Sequence, residues 1–182
     1  LLCLLSSNSF SNEFEIKAEK VNYNNTEGKI IAVGNALAFN QEGKKIFANK
    51  IIYLKNIGII HTFGDSKFTD NNKILTADRF SYNINSKIIN AIGNVIFTDK
   101  ENNKFFFKKF IYNEIKGTGA GDEIIAKTTD GSYLQSKSGE LDSKNKLVKL
   151  KNGEFTSCSK IKNNKGEFCP SWSLKSKEII HD

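Results

Sequence analysis

The sequence predicts an all-β fold, an antiparallel β-sandwich or jelly roll built from two-stranded hairpin repeats, and three observations predict it. First, a small or apolar residue is followed three positions later by an apolar one and five positions later by an aromatic one, in Ala18-Val21-Tyr23, Ala48-Ile51-Tyr53, Ala77-Phe80-Tyr82 and Phe107-Phe110-Tyr112, and weakly in Ser136-Gly139-Leu141. The copies recur every 29 or 30 residues. Second, a Gly-Asn or Gly-Asp marker travels in phase with them: Gly34-Asn35, Gly64-Asp65, Gly93-Asn94 and Gly121-Asp122, with Asn152-Gly153 as a drifted fifth copy. Third, the runs between turns are rich in Ile, Val, Phe, Tyr and Thr, which suit a pleated sheet, and no run carries helical spacing with caps. A period of this length means one supersecondary unit stacked on copies of itself, which makes a long surface rather than a single pocket.

The turns fall in order along the chain: Asn24 to Gly28, Asn40 to Gly43, Asn56 to Gly58, Asp70 to Asn72, Asn83 to Asn85, Asp99 to Asn103, Asp130-Gly131 and Asp142 to Asn145. Asn, Asp and Gly tolerate the left-handed backbone that tight turns need. The runs between them give about ten or eleven strands, two per repeat. Residues two apart in a strand share a face. Ahead of the glycine markers stand Ile30 and Ala32, Ile60 and Thr62, Ile89 and Ala91, Val148 and Leu150. After them come Ala36 and Ala38, Ser66 and Phe68, Val95 and Phe97, then Ile125. With Val21/Tyr23, Ile51/Tyr53, Phe80/Tyr82 and Phe110/Tyr112 they predict one apolar face per strand, and two such faces opposed make the sandwich. The run Gly117-Thr118-Gly119-Ala120-Gly121 departs from the pattern, as a bulge, a close approach of another group or a drifted hairpin.

At 182 residues the chain has room for one ordinary core. Its net charge of +7 comes from lysine, with Arg79 the only arginine. The lysines are scattered through turns rather than clustered, which argues against a nucleic-acid partner. Leu1 to Ser11 reads as the tail of a secretory signal peptide, an apolar run followed by Ser9 and Ser11 at the −3 and −1 positions of a cleavage site. In the oxidising compartment that export implies, Cys158 and Cys169 are disulfide candidates. The ten-residue segment between them permits a local bridge. Only His181 accompanies them as a metal ligand, so neither a metal nor another cofactor is expected. The histidines are His61, predicted exposed, and His181, at the Tyr position of a sixth repeat. No Ser/His/Asp grouping or phosphate loop is present, and the chain reads as a non-enzyme.

The hairpin repeat with its Ala-x-x-Ile-x-Tyr and Gly-Asn/Asp markers resembles the OstA-like domain of the lipopolysaccharide export bridge. The later segment, Cys158 followed by Cys169-Pro170-Ser171-Trp172-Ser173-Leu174-Lys175-Ser176-Lys177-Glu178-Ile179, is similar to the N-terminal periplasmic domain of the LptD family of outer-membrane assembly proteins. Ser176 stands where that family usually has Ala. The resemblance divides the chain into the leader tail (1–11), the OstA-like jelly roll (12–157) and a cysteine-bearing loop with the start of a further repeat (158–182), ahead of a β-barrel. It implies a V-shaped two-sheet groove whose inner face, the apolar positions named above, takes the acyl chains of lipopolysaccharide at the periplasmic side of the outer membrane. It also implies three partners: an LptA-type bridge protein added as a strand near Glu13 to Tyr23, the downstream barrel, and an LptE-type lipoprotein. It further implies that at least one of the two cysteines pairs with a downstream cysteine. An LptA-like bridge protein, or a structural β-solenoid or adhesin module, is the alternative.

Overall fold

The computed structural model describes residues 13–70, 72–129, 131–157 and 172–181. The leader tail, Cys158 and Cys169 lie outside the described residues. Fourteen strands appear among the described residues: β1 (Glu15–Lys17), β2 (Lys20–Asn24), β3 (Lys29–Phe39), β4 (Lys45–Leu54), β5 (Ile59–Phe63), β6 (Ser66–Asp70), β7 (Lys73–Ala77), β8 (Arg79–Asn83), β9 (Ile88–Thr98), β10 (Lys104–Asn113), β11 (Thr118–Lys127), β12 (Tyr133–Asp142), β13 (Leu147–Thr156) and β14 (Leu174–His181). All pairings are antiparallel between neighbours in a hairpin stack. The all-β jelly roll that the repeats predict is what the chain forms.

The strands build two layers because each long strand bends at a fixed place. The first half of β3 pairs with β2 and its second half with β1. One half of β4 pairs with β5, the other with β6. Likewise β9 divides between β8 and β7. The sequence expectation of a single first strand over Glu13 to Tyr23 is corrected here, since Ala18 and Glu19 break it into β1 and β2, one on the edge of each layer.

The bend is written in left-handed residues. Asn35, Asp65, Asn94, Glu123 and Asn152 all have φ between 45° and 54°. Asn and Asp enter this region most readily of the residues with a Cβ. The first four also tie the fold line by a side-chain bond to the neighbouring strand. Asn35 donates to Glu19 at 2.6 Å, Asn49 to Asp65 at 3.0 Å, and Asn94 to Asp78 at 3.0 Å. In the fourth copy Lys108 donates to Glu123 at 3.0 Å. The Gly-Asn markers are therefore a seam that runs the length of the stack.

The seam also explains an inner-face position that the repeat pattern misplaces. In the fourth copy the left-handed residue is Glu123, not Asp122, so Gly121-Asp122 sits one residue ahead of register. The side chains that follow turn over: Ile124 and Ala126 are buried and Ile125 faces outward, half-exposed. Ile125 is not an inner-face residue. The neighbouring glycines serve close packing. A Cβ on Gly121 would stand 2.5 Å from the Phe107 ring and 2.6 Å from the Lys109 carbonyl oxygen, and one on Gly119 would strike the Phe110 ring.

The core lies between the layers. Phe68 of β6 meets Phe80 and Tyr82 of β8 with centroids 6.4 and 5.4 Å apart, although those strands share no ladder. Phe97 packs on Phe110 and Tyr112 at 5.6 and 5.0 Å. Each such ring pair contributes about 0.5–1.5 kcal/mol beyond the area it buries. Thr62, also buried, accepts from the Phe80 amide at 2.9 Å and donates to its carbonyl at 3.2 Å, so its hydroxyl is satisfied. At the ends of the stack none of the described residues covers the apolar face. Val21 and Tyr23 are about half exposed because, among the described residues, β2 pairs only with β3, contrary to the inner-face expectation for them. Trp172 and Leu174 are exposed at the other end, and Ile180, opposite Lys149, is exposed on the outer side of β14. His61, expected exposed, is half-buried on the outer side of β5, opposite Ile52 and Ser81.

Candidate functional site: the mouth between the layers

Opposite the seam, the hairpin tips of the two layers face each other. The inner-face residues expected from sequence converge on the space behind them. Ala32, Ala36, Ala38, Ile51, Tyr53, Ile60, Phe68, Phe80, Tyr82, Ile89, Ala91, Val95, Phe97, Phe110 and Tyr112 are all buried there, and Ile30 packs partly buried against them. Tyr82 and Tyr112, which close two of the repeat copies, stand at the mouth with their hydroxyls toward the opposing tips, whereas the Tyr23 hydroxyl donates to Asn25 of its own turn at 3.1 Å.

These hydroxyls are used. The Lys44 ammonium, from the β3–β4 turn, donates to Glu114 Oε2 at 3.0 Å and to the Tyr82 hydroxyl at 3.4 Å, and Tyr82 donates to the same Glu114 oxygen at 2.8 Å. Glu42 lies 3.3 Å from Lys44 and 3.6 Å from Lys87. The turn of Glu42 and Lys44 belongs to one layer, and Tyr82, Lys87 and Glu114 to the other. The next copy repeats the arrangement with neutral partners. Lys73 donates to the Tyr112 hydroxyl at 2.8 Å and to Ser143 Oγ at 3.1 Å. Glu13 and Lys55 pair at the first copy, and Glu101 and Lys146 at the last. A ladder of polar contacts thus spans the mouth over the apolar interior.

Burial makes the second rung the most consequential. Lys44 and Glu114 side chains are only 10% and 8% exposed. Burial pushes the Lys44 pKa down, but Glu114 and Glu42 outweigh it and leave it raised. Burial and the Glu114 charge together push the Tyr82 phenol far above its ordinary value. Burial acts to raise Glu42, yet Lys44 and Lys87 hold it below the usual carboxylate range. The rung is crowded: Lys87 Nζ, Glu114 Oε1 and Asn40 Nδ2 are buried without a hydrogen-bond partner among the described residues.

The mouth is not closed along its whole length. At the fourth copy a cavity of about 300 Å³ opens between the layers, with Phe105, Leu141 and Val148 among its walls and Lys73, Lys100 and Lys146 among its polar residues. Phe105 was not singled out by the sequence, and Leu141 was visible only as a weakened repeat. A shallower depression of about 740 Å³ lies outside the seam, lined by residues such as Ile125, Ser136 and Lys175, and shares no residue with the mouth. Among the described residues, no group of His, Cys, Asp and Glu is arranged to hold a metal ion.

A stack of hairpins creased along one seam into two layers, with its apolar face inside and polar tips at the mouth, defines a folded-sheet β-jelly roll. The same fold is found in the crystal structure of LptH, the LptA homologous periplasmic component of the conserved lipopolysaccharide transport device from Pseudomonas aeruginosa. The two match with a TM-score of 0.50 and 14% sequence identity over 56% of this chain and 76% of that one. No family model matches the sequence, and no curated protein does.

Proposed function

We propose that this chain is a periplasmic lipid-transport module that receives the acyl chains of lipopolysaccharide between its two layers and passes them along the stack toward the outer membrane. The observation that carries the reading is the continuous apolar interior behind a polar mouth, in a fold shared with LptH. Apolar tails placed there gain about 25 cal/mol per Å² removed from water, while a charged head stays at the tips. No bond is made or broken, so the role needs no catalytic group or cofactor.

The finer reading is that the chain is the N-terminal periplasmic domain of an LptD-type protein, with an LptA-type bridge at the β1/β2 edge, an LptE-type lipoprotein beyond the barrel, and a cysteine of the 158–169 segment bonded to the barrel. It is supported by the Cys-Pro-x-Trp segment in the sequence. A bridge protein of LptA type is the alternative favoured by the LptH likeness.

Placing a photo-crosslinking residue at Phe68 or Phe97, and at the outward Ile125 or Lys149, separates conduit from spacer. With purified lipopolysaccharide, label is expected at the first pair and not at the second. Equal labelling of both faces, or none at any inner position, overturns the proposal.

A further inference from the structure

The tyrosine and lysine of the latch are missing from the fourth copy, where the exposed Glu101–Lys146 pair crosses the mouth in their stead, and the cavity lies beside it. Tyr53, Tyr82 and Tyr112 are followed by Leu141, which has no hydroxyl to offer the opposing layer. The lysine is lost as well. Lys44 and Asn103 occupy the same place in equivalent turns: the Lys44 amide donates to Asn40 Oδ1 at 3.0 Å, and the Asn103 amide to Asp99 Oδ1 at 2.9 Å. Asn103 does not cross the mouth. Its Nδ2 donates to Asp99 at 2.9 Å, and its Oδ1 accepts from the Thr129 amide at 2.9 Å. With both halves of the rung replaced, the layers leave a gap of about 300 Å³ walled by Phe105, Leu141 and Val148. That volume is at the lower end of small-ligand pockets, which run from about 300 to 1,000 Å³.

The rim carries a charge that suits one kind of occupant. Lys73 is bonded to two hydroxyls, and no carboxylate lies within ion-pair reach of it among the described residues. Lys100 is exposed beside it, Lys146 is neutralised by Glu101, and the carboxylate of Asp99, also in the lining, is taken up by the Glu101 and Asn103 amides and the Asn103 side chain. An apolar slot beneath an uncompensated ammonium fits an acyl chain that ends in an anionic head, since the chain is desolvated and the head stays in contact with water and a cation.

We propose that the gap at Leu141 is a lateral port through which a single acyl chain of a phosphate-bearing amphiphile passes between the layers, with the phosphate at Lys73. The copies before it are closed sleeves, so a lipid leaves or joins the stack sideways here rather than along its whole length. This rests on the lipid-conduit reading.

The test uses the whole chain and two probes: lysophosphatidic acid with a diazirine at the chain terminus, and a monoacylglycerol with the same chain. Labelled peptides are expected to contain Phe105 or Val148. Leu141→Tyr with Asn103→Lys rebuilds the missing rung, and should weaken labelling about tenfold or more, equivalent to at least 1.4 kcal/mol. Leu141→Trp fills the slot and should act alike if the double variant does not fold. Lys73→Gln should reduce labelling by the phosphate probe and leave the neutral one unchanged. Unaltered labelling in the rebuilt and filled variants overturns the port. Label at Phe68 or Phe97 without Phe105 or Val148 overturns the port and leaves the conduit standing. No label from either probe or from lipopolysaccharide at any interior position removes both.

Discussion

Lys44 and Glu114 are 70 positions apart in the chain, belong to different layers, and meet at 3.0 Å across the mouth. Neither is more than 10% exposed, so each has given up most of its water for the other. Removing one partner of such a pair leaves a buried charge, whereas replacing both with apolar groups of similar size is nearly neutral or stabilising. Glu114→Ala should therefore destabilise by about 2–4 kcal/mol, the lower part of that range reflecting the help Glu42 still gives Lys44. Lys44→Met with Glu114→Leu should recover most of the loss. Urea unfolding of the three variants checks this. Equal losses in the single and double variants would mean that the rung is not coupled.

The same cluster predicts a fall in stability at alkaline pH. Tyr82 and Lys44 both keep their protons to higher pH in the folded chain than in the unfolded one, where they titrate near about 10 and 10.4. Above about pH 10 the unfolded state sheds protons that the folded state retains, so stability present below that pH declines as pH rises. Unfolding midpoints should hold steady below pH ~9.5 and drop beyond it, and Tyr82→Phe should drop less steeply. A profile for Tyr82→Phe as steep as that of the parent chain contradicts this account.

Ile124 and Ile125 are adjacent, and the seam gives them opposite fates. Ile124 is 2% exposed inside the core, while Ile125 faces out. Ile124→Ala should be destabilising by about 2–4 kcal/mol and Ile125→Ala by under about 1 kcal/mol. Thermal or urea melts of the pair decide between Glu123 and Asp122 as the residue that carries the bend. Reversed losses place it at Asp122.

Gly121 carries no positive φ, so its role is space alone. A methyl group there meets both the Phe107 ring and a backbone carbonyl, and only the ring has freedom to yield. Gly121→Ala should cost about 1–3 kcal/mol through overpacking. Gly131→Ala has open space around its Cβ position and should cost only about 1 kcal/mol, for its left-handed backbone. Comparable losses at the two positions would remove the packing argument.

The β1 edge tests the partner. Among the described residues β1 pairs only with β3, through Glu15–Phe39, Ile16–Ala38 and Lys17–Leu37, so its other edge is one that a further strand could join. Proline at whichever of Ile16 and Lys17 turns its N–H outward should abolish capture of a purified LptA-type bridge protein while circular dichroism still reports a native sheet. If neither proline affects a pull-down and both variants stay folded, docking occurs on another edge.

The fold was legible because its signals are local. Asn35, Asp65 and Asn94 mark the bend by a conformational preference that each residue carries by itself, and strand alternation then assigns Ala32, Phe68 or Phe97 to the interior. The reading slipped at Glu123, since no propensity favours glutamate in a left-handed position, and the tempting Gly121-Asp122 pair stood next to it. Only the packing of Ile124 and the ring of Phe107 select the register there. The mouth was illegible for a different reason. Lys44 with Glu114, and Lys73 with Ser143, join turns of separate repeats across two layers, and nothing in the spacing of either residue marks it as a partner. Leu141 was visible as an imperfect copy, but a missing hydroxyl gains meaning only once Tyr82 and Tyr112 are seen to use theirs.

The seam has a mechanical consequence. Ladder hydrogen bonds run along the stack, parallel to it, so swinging one layer away from the other turns a spine without tearing a page. Each half-strand of four or five residues is then a lever about 15 Å long, and rotation of about 10° at the spine moves its tip by roughly 3 Å, about the length of one hydrogen bond. A small turn at the spine is therefore large enough in distance to part the rungs at the tips, and the copies share one axis.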